Sequence, residues 1–150
     1  MFILCDCKTG FIIDFIVYFD SKTEFSYQKQ LGVTGCIVTT LLERFLNKGH
    51  SLFVDNYYSS PILFEYLPQY KTGACGTVRN DRAGLPVFEE KQKPGKQVFY
   101  HMDNLLALRW VDNRKVTMLS NLHEPIMVPI KKSTLCNERT EDEAFLCKRV

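Results

Sequence analysis

The chain has 150 residues, 45% of them apolar and 13% aromatic, enough for about one domain with a buried core. It holds no apolar run of about eighteen residues and no charged leader before an apolar stretch and a small-residue cleavage site, so neither a spanning helix nor a signal peptide is indicated and a soluble intracellular protein is expected. The net charge of +2 hides a basic middle: residues 71–115 carry 9 basic and 5 acidic side chains, a surplus too small to identify a nucleic-acid binder unaided.

Phe2–Leu4 reads as a short strand, Cys5–Gly10 as a hairpin turn with Gly10 free to take positive φ, and Phe11–Phe19 as the partner strand. Asp6 falls where the first strand meets the turn. Asp14, expected on the solvent face, and Asp20 read as structural. Ser21–Gln30 lacks an apolar period and reads as a loop. From Gly32, the residues Val33, Ile37, Val38, Leu41, Leu42 and Phe45 recur at three- and four-residue steps, which predicts an amphipathic helix with one buried face. Asn47-Lys48-Gly49 stops it, and the helix leads into strand Leu52–Val54 as a βαβ-like crossover.

Leu52 to Pro61 is the organising stretch: an apolar run, then Asp55, then a polar turn and a new helix. Ser60 suits the N-cap and Pro61 the first helical position. Asp55 is either an acid at the rim of a sheet, where open α/β sheets bind ligands, or with Asn56 a simple turn former. The helix from Pro61 closes at Pro68, and Thr72–Val78 is a strand whose Gly73 and Gly76 mark close backbone approach or a bulge. Arg79–Pro86 is a basic loop and Val87–Gln97 a charged linker. Val98–Met102, Leu105–Val111 and Val116–Ser120 then form a small antiparallel sheet, separate from the α/β pattern. Ala144–Val150 reads as a short terminal helix or a frayed end.

The six cysteines show no C-x-x-C and no His spaced to complete a zinc site, which favours reduced, mostly buried thiols. His50, His101 and His123 have no nucleophile pattern near them, and capping accounts for Ser59 and Ser60. Tyr57, Tyr58 and Trp110 have rings that can stack on bases, with core or interface packing the favoured reading for each.

The words LFVDNYYSSPILFEYL, TGACGTVRNDRAGLP and LALRWVDNRKVTMLSNLHE follow one another in the order and spacing of the piggyBac transposase family, which includes piggyBac transposable element-derived proteins. FILCDCKTGFIIDFIVY resembles the strand pair that carries that family's first catalytic Asp. The resemblance runs from Met1 to Glu124. It implies an α/β fold: a partial RNase H-like core of DDE transposase type over 1–78, a small antiparallel β insertion domain over 79–124, and a divergent tail over 125–150. In such a core the first acid lies on the first strand and the second at the end of a neighbouring strand. Asp6 and Asp55 are thereby implied as catalytic, Mg²⁺-binding acids, and the nucleus as the location. Arg79 and Arg82, read from the residues themselves, are the candidate phosphate contacts on DNA because they sit in a flexible basic loop close after the sheet; the alternative is a solvated loop.

The family's third acid lies in a motif resembling YNxxMGGVDxxDQ. No Gly-Gly-Val-Asp occurs here, and Asp142 sits in a charge run. The expectation is a truncated, transposase-derived protein that lacks cleavage activity and retains DNA binding. The alternative is a protein-interaction module that self-associates or docks a partner through uncovered sheet surface.

Overall fold

A computed structural model describes residues 1–19, 23, 25, 29–88, 95–111, 113–129 and 145–149. The expectations for Asp20, most of Ser21–Gln30, the linker from Glu89 to Pro94, and Asp142 lie outside these residues.

The chain begins with an antiparallel hairpin of β1 (Phe2–Cys5) and β2 (Ile12–Ile16). The Asp6 N–H donates to Phe11 O at 2.9 Å and the Gly10 N–H to Asp6 O at 2.8 Å, with Gly10 at φ +71°. Asp14 is half-buried, not solvent-facing, because period-two alternation places it with Ile16 on the inner side of β2.

Helix α1 (Gly32–Leu42) continues as a 3-10 turn over Glu43–Phe45, and Asn47 and Gly49 end it with positive φ. Its burial departs from the single-face expectation. Gly35 to Thr39, Leu41 and Leu42 are all buried, whereas Val33 is 64% exposed. Burial here follows position along the axis: the middle of the helix is enclosed on nearly all sides and its first turn is not.

The crossover also lies elsewhere than expected. Strands β3 (Ser51–Val54) and β4 (Gly73–Thr77) are parallel neighbours, and the helix between them is α2 (Pro61–Tyr66), whereas β2 and β3 belong to different sheets. The Ser60 hydroxyl caps α2 by accepting the Leu63 N–H at 3.3 Å, and Pro61 takes the first helical position. A 3-10 turn carries the chain through Pro68 to Tyr70, where left-handed Lys71 turns it into β4.

Strands β5 (Gln97–Met102), β6 (Leu105–Val111) and β7 (Lys115–Ser120) form the expected antiparallel set. They do not stand as a separate sheet. Strand β7 pairs with β4 through Cys75 and Ser120, giving one five-stranded mixed sheet of order β3-β4-β7-β6-β5. Gly73 to Thr77 is flanked on both sides, which explains why its small residues are buried. Residues 145–149 are a strand, not a helix: β9 (Phe145–Arg149) pairs with β8 (His123–Pro129).

The core lies where α2 packs on the sheet, around Leu63, Phe64, Leu67, Ala74, Leu105 and Leu119, all at 0–1% exposure. Asn121 ties the layers together: its Oδ1 accepts the Ala74 N–H at 2.6 Å and its Nδ2 donates to Phe64 O at 2.7 Å. Among the described cysteines, Cys36 and Cys75 are buried, but Cys5 and Cys7 are exposed, so burial is less general than expected. No helix among the described residues is long and apolar enough to cross a membrane. We expect Phe64→Ala to lower the unfolding free energy by about 3–5 kcal/mol in urea denaturation, since the ring is fully enclosed and its neighbours are held by Asn121.

Candidate functional site

Asp6 ends β1 and opens the hairpin turn. Its Oδ2 accepts the Thr9 hydroxyl at 2.5 Å and the Thr9 N–H at 3.0 Å, both within the local turn. These two bonds, with a smaller contribution from the Lys8 backbone and charge, hold the Asp6 carboxyl below the usual aspartate range. Asp55 ends β3 in the same way. Its carbonyl oxygen accepts the N–H groups of Tyr58 at 3.0 Å and Ser59 at 3.2 Å and the Ser59 hydroxyl at 3.1 Å, while its Oδ1 accepts the Asn56 N–H at 2.6 Å.

Both acids line one cleft of about 830 Å³. Strand β1 contributes one side and β3 another, with Leu41 and Leu42 of α1 between them in sequence and Lys8 and Lys48 as further charged lining. The two strands are not hydrogen-bonded neighbours, contrary to what the resemblance implied: β1 pairs with β2, and β3 with β4. The Phe2 ring meets Tyr58 edge-on at 6.3 Å, so apolar packing, not a ladder, brings the hairpin to the turn after Asp55. The Tyr58 hydroxyl is pushed up by burial and, less, by the charges of Tyr57 and Asp55.

For a hard cation the donor set is suitable. The hydrogen bonds described above fall on Asp6 Oδ2 and Asp55 Oδ1, and carboxylate oxygens are the hard donors that such a cation takes. Among the described residues no group of three or more His, Cys, Asp and Glu side chains could hold an ion. The cleft is lined by two acids, Asp6 and Asp55.

The basic-loop residues behave differently from each other. Arg79 is exposed, with its guanidinium 5.8 Å from the centre of the Tyr57 ring. Arg82 is half-buried and its Nη2 donates to the carbonyl oxygens of Asn56 at 3.2 Å and Tyr57 at 2.9 Å. His123 is engaged with Ser120 at 2.7 Å, and His50 and His101 meet the rings of Phe45 and Phe99, in keeping with structural roles.

Arg109 was missed from the sequence. It is 7% exposed, its guanidinium lies 4.0 Å from the Phe88 ring centre, and it donates to Thr117 Oγ1 and Asn80 Oδ1, both at 2.9 Å. Burial pushes its pKa down. The signal was present in Leu105–Val111, where Arg109 is the one charged residue of an otherwise apolar strand.

The lowered pKa of Asp6 sets a pH dependence with a definite sign. Stabilisation of the turn by the ionised carboxylate is present above the unfolded value of about 3.9 and lost as pH falls through the folded value. A carboxyl-carbon NMR titration should give an Asp6 midpoint below the ordinary one, and Thr9→Ala should move it up.

The family model described as Transposase IS4 matches residues 1–144, which carries the likeness about 20 residues beyond Glu124, where the resemblance was expected to stop. Among solved structures, the chain is similar to the piggyBac transposase in a cryo-EM structure of its synaptic complex with hairpin DNA, with a TM-score of 0.69, 18% identity and 91% of this chain covered. The chain spans 28% of the length of that protein. The likeness is one of fold, and it supports the RNase H-like DDE architecture expected from the sequence; DDE transposases generally use divalent metal ions. With the family match covering nearly the whole chain, this protein belongs to the Transposase IS4 family of DDE transposases.

Proposed function

We propose that the chain carries part of a DDE-type Mg²⁺ site, with Asp6 and Asp55 as ligands, in a transposase-derived protein that contacts DNA through its basic loop. The observation that supports this most is that two acids 49 positions apart in sequence line one cleft. The Thr9 hydrogen bonds lower the Asp6 pKa and so favour the ionised form that a cation binds. Lys8 and Lys48, which line the same cleft, offset part of the carboxylate charge. When bound, divalent ions would activate the attacking oxygen and stabilise the leaving oxygen of a phosphodiester.

Two acids begin such a site without completing it. The family's third-acid motif does not occur in these 150 residues, so this chain binds metal and DNA without cleaving DNA unless an acid from outside these residues joins the pair. Arg79, exposed beside the 44%-exposed Tyr57, offers a phosphate contact next to a ring on which a base can stack. A nuclear location accompanies this reading, because that is where the DNA is.

Titration calorimetry with Mg²⁺ and Mn²⁺ tests it. The wild-type chain should bind, and Asp6→Asn and Asp55→Asn, which keep shape and remove charge, should each lose detectable affinity; a folded wild type that binds neither ion overturns the metal reading. In DNA titrations at several salt concentrations, Arg79→Ala should weaken binding and reduce the logarithmic salt slope by about 1.

A second reading, as a protein-interaction module, has its own observation. On the hairpin, Ile3 pairs with Phe15, and Ile3, Ile13, Phe15 and Val17 are each 42–54% exposed along one alternating face. Self-association through this face would show as concentration-dependent sedimentation that weakens in Ile3→Ser with Phe15→Ser and is unaffected by Arg79→Ala.

A further inference from the structure

The loop over 79–86 reaches the turn after Asp55 and the start of α2 at three points. Arg82 Nη2 donates to the Asn56 and Tyr57 carbonyls at 3.2 and 2.9 Å. The Arg79 guanidinium lies 5.8 Å from the Tyr57 ring centre. Gly84, at φ +85°, approaches Pro61 so closely that a Cβ there would lie 3.4 Å from Pro61 Cγ.

The loop is held from its other side as well. Asn80 Oδ1 accepts from Arg109 Nη2 at 2.9 Å and from Thr117 Oγ1 at 2.7 Å, and Arg109 Nε donates to Thr117 Oγ1 at 2.9 Å. Arg109 and Thr117 belong to β6 and β7, in the sheet that also carries β3. A continuous path therefore runs from the sheet through Asn80 and Arg82 to the peptide groups next to Asp55.

A guanidinium suits this task, because its planar fork of donors can satisfy two successive carbonyls that have no ladder partner. Among the described residues, Arg82 Nε is buried and has no hydrogen-bond partner. That is unfavourable in itself, so the carbonyl bonds have to outweigh it. A side chain that served only to meet phosphate would instead keep its donors in solvent.

We infer that Arg82 is a positioning residue for Asp55: it holds the Asn56-Tyr57 turn, and through it the direction of the Asp55 carboxylate at the cleft, while Asn80 and Arg109 hold the loop that carries Arg82. Its consequence for metal binding rests on the reading of Asp55 as a ligand; the brace itself does not.

The test uses the whole chain with no DNA present. Mn²⁺ affinity by calorimetry and amide hydrogen exchange at Tyr58 and Ser59 are compared among wild type, Arg82→Ala and Arg82→Lys. Residues that orient metal ligands typically account for 10- to 100-fold in affinity, so Arg82→Ala should weaken Mn²⁺ binding by roughly tenfold. Exchange at Tyr58 and Ser59, whose N–H groups bond to Asp55 O, should accelerate in that variant even without metal, and Arg82→Lys should recover most of both.

Unchanged affinity and exchange in a folded Arg82→Ala overturn the inference, since a pure phosphate contact is silent in this assay. Acceleration spread equally over β4 and β7 also overturns it, as that marks general loss of stability. If wild type binds no Mn²⁺ but exchange still accelerates locally in Arg82→Ala, the brace stands and the metal reading falls. Should Arg82→Ala not fold, Arg82→Gln, which keeps one carbonyl donor, carries the same comparison.

Discussion

Val54 and Gly76 are register partners in the parallel β3–β4 pair, and at that point the two strands leave no space for a side chain. A Cβ on Gly76 would lie 2.2 Å from Val54 O and 2.9 Å from Ser59 Oγ. The close approach lets Ser59 fold back under the end of β3, where it is fully buried and donates its hydroxyl to Asp55 O. The chain then leaves the turn in the direction that α2 requires, with Ser60 as cap and Pro61 as first residue. The position of Asp55, the start of α2 and the packing of α2 on the sheet thus all follow from one missing side chain.

Charge in the middle of the chain is used in two ways. Two of the nine basic residues of 71–115, Arg82 and Arg109, have their guanidiniums turned into the protein. Arg109 is surrounded by the neutral partners Thr117 and Asn80 and by the face of Phe88, whose ring quadrupole favours a cation at 4.0 Å. Counting Lys and Arg therefore overstates the charge that faces solvent. Arg79, on the same loop, is the one of the two motif arginines that remains exposed.

The two acids come together by packing. Strand β1 is in a different sheet from β3, and residues of both line the cleft. Phe2 against Tyr58 is the contact that brings the hairpin to the Asp55 turn. Each acid owes its local conformation to its own turn: Asp6 to Thr9, Asp55 to Asn56 and Ser59. Local turns prepare the carboxylates, and tertiary packing sets the space between them.

Much of the local structure was legible in the residues. The hairpin around Gly10, the Ser60-Pro61 helix start, the close approach at Gly76 and the three strands between Gln97 and Ser120 each rest on chemistry that acts within a few residues. Asp6 and Asp55 could be singled out because an acid at a strand end, set in recognisable motifs, is a local feature. What the sequence could not show depends on neighbours far along the chain. The pairing of β7 with β4 merges two expected sheets into one, and the enclosure of α1 on nearly all sides removes the single buried face its periodicity suggested. The inward use of Arg82 and Arg109 is of the same kind, since a guanidinium's partners are chosen by which carbonyls and hydroxyls come within reach. By itself the sequence determined the turns and the caps, because those are settled by local sterics and hydrogen bonding. Only the tertiary structure decided which edges pair, which charges turn inward and that the two acids share a cleft, because these depend on contacts between segments that chain order does not place together.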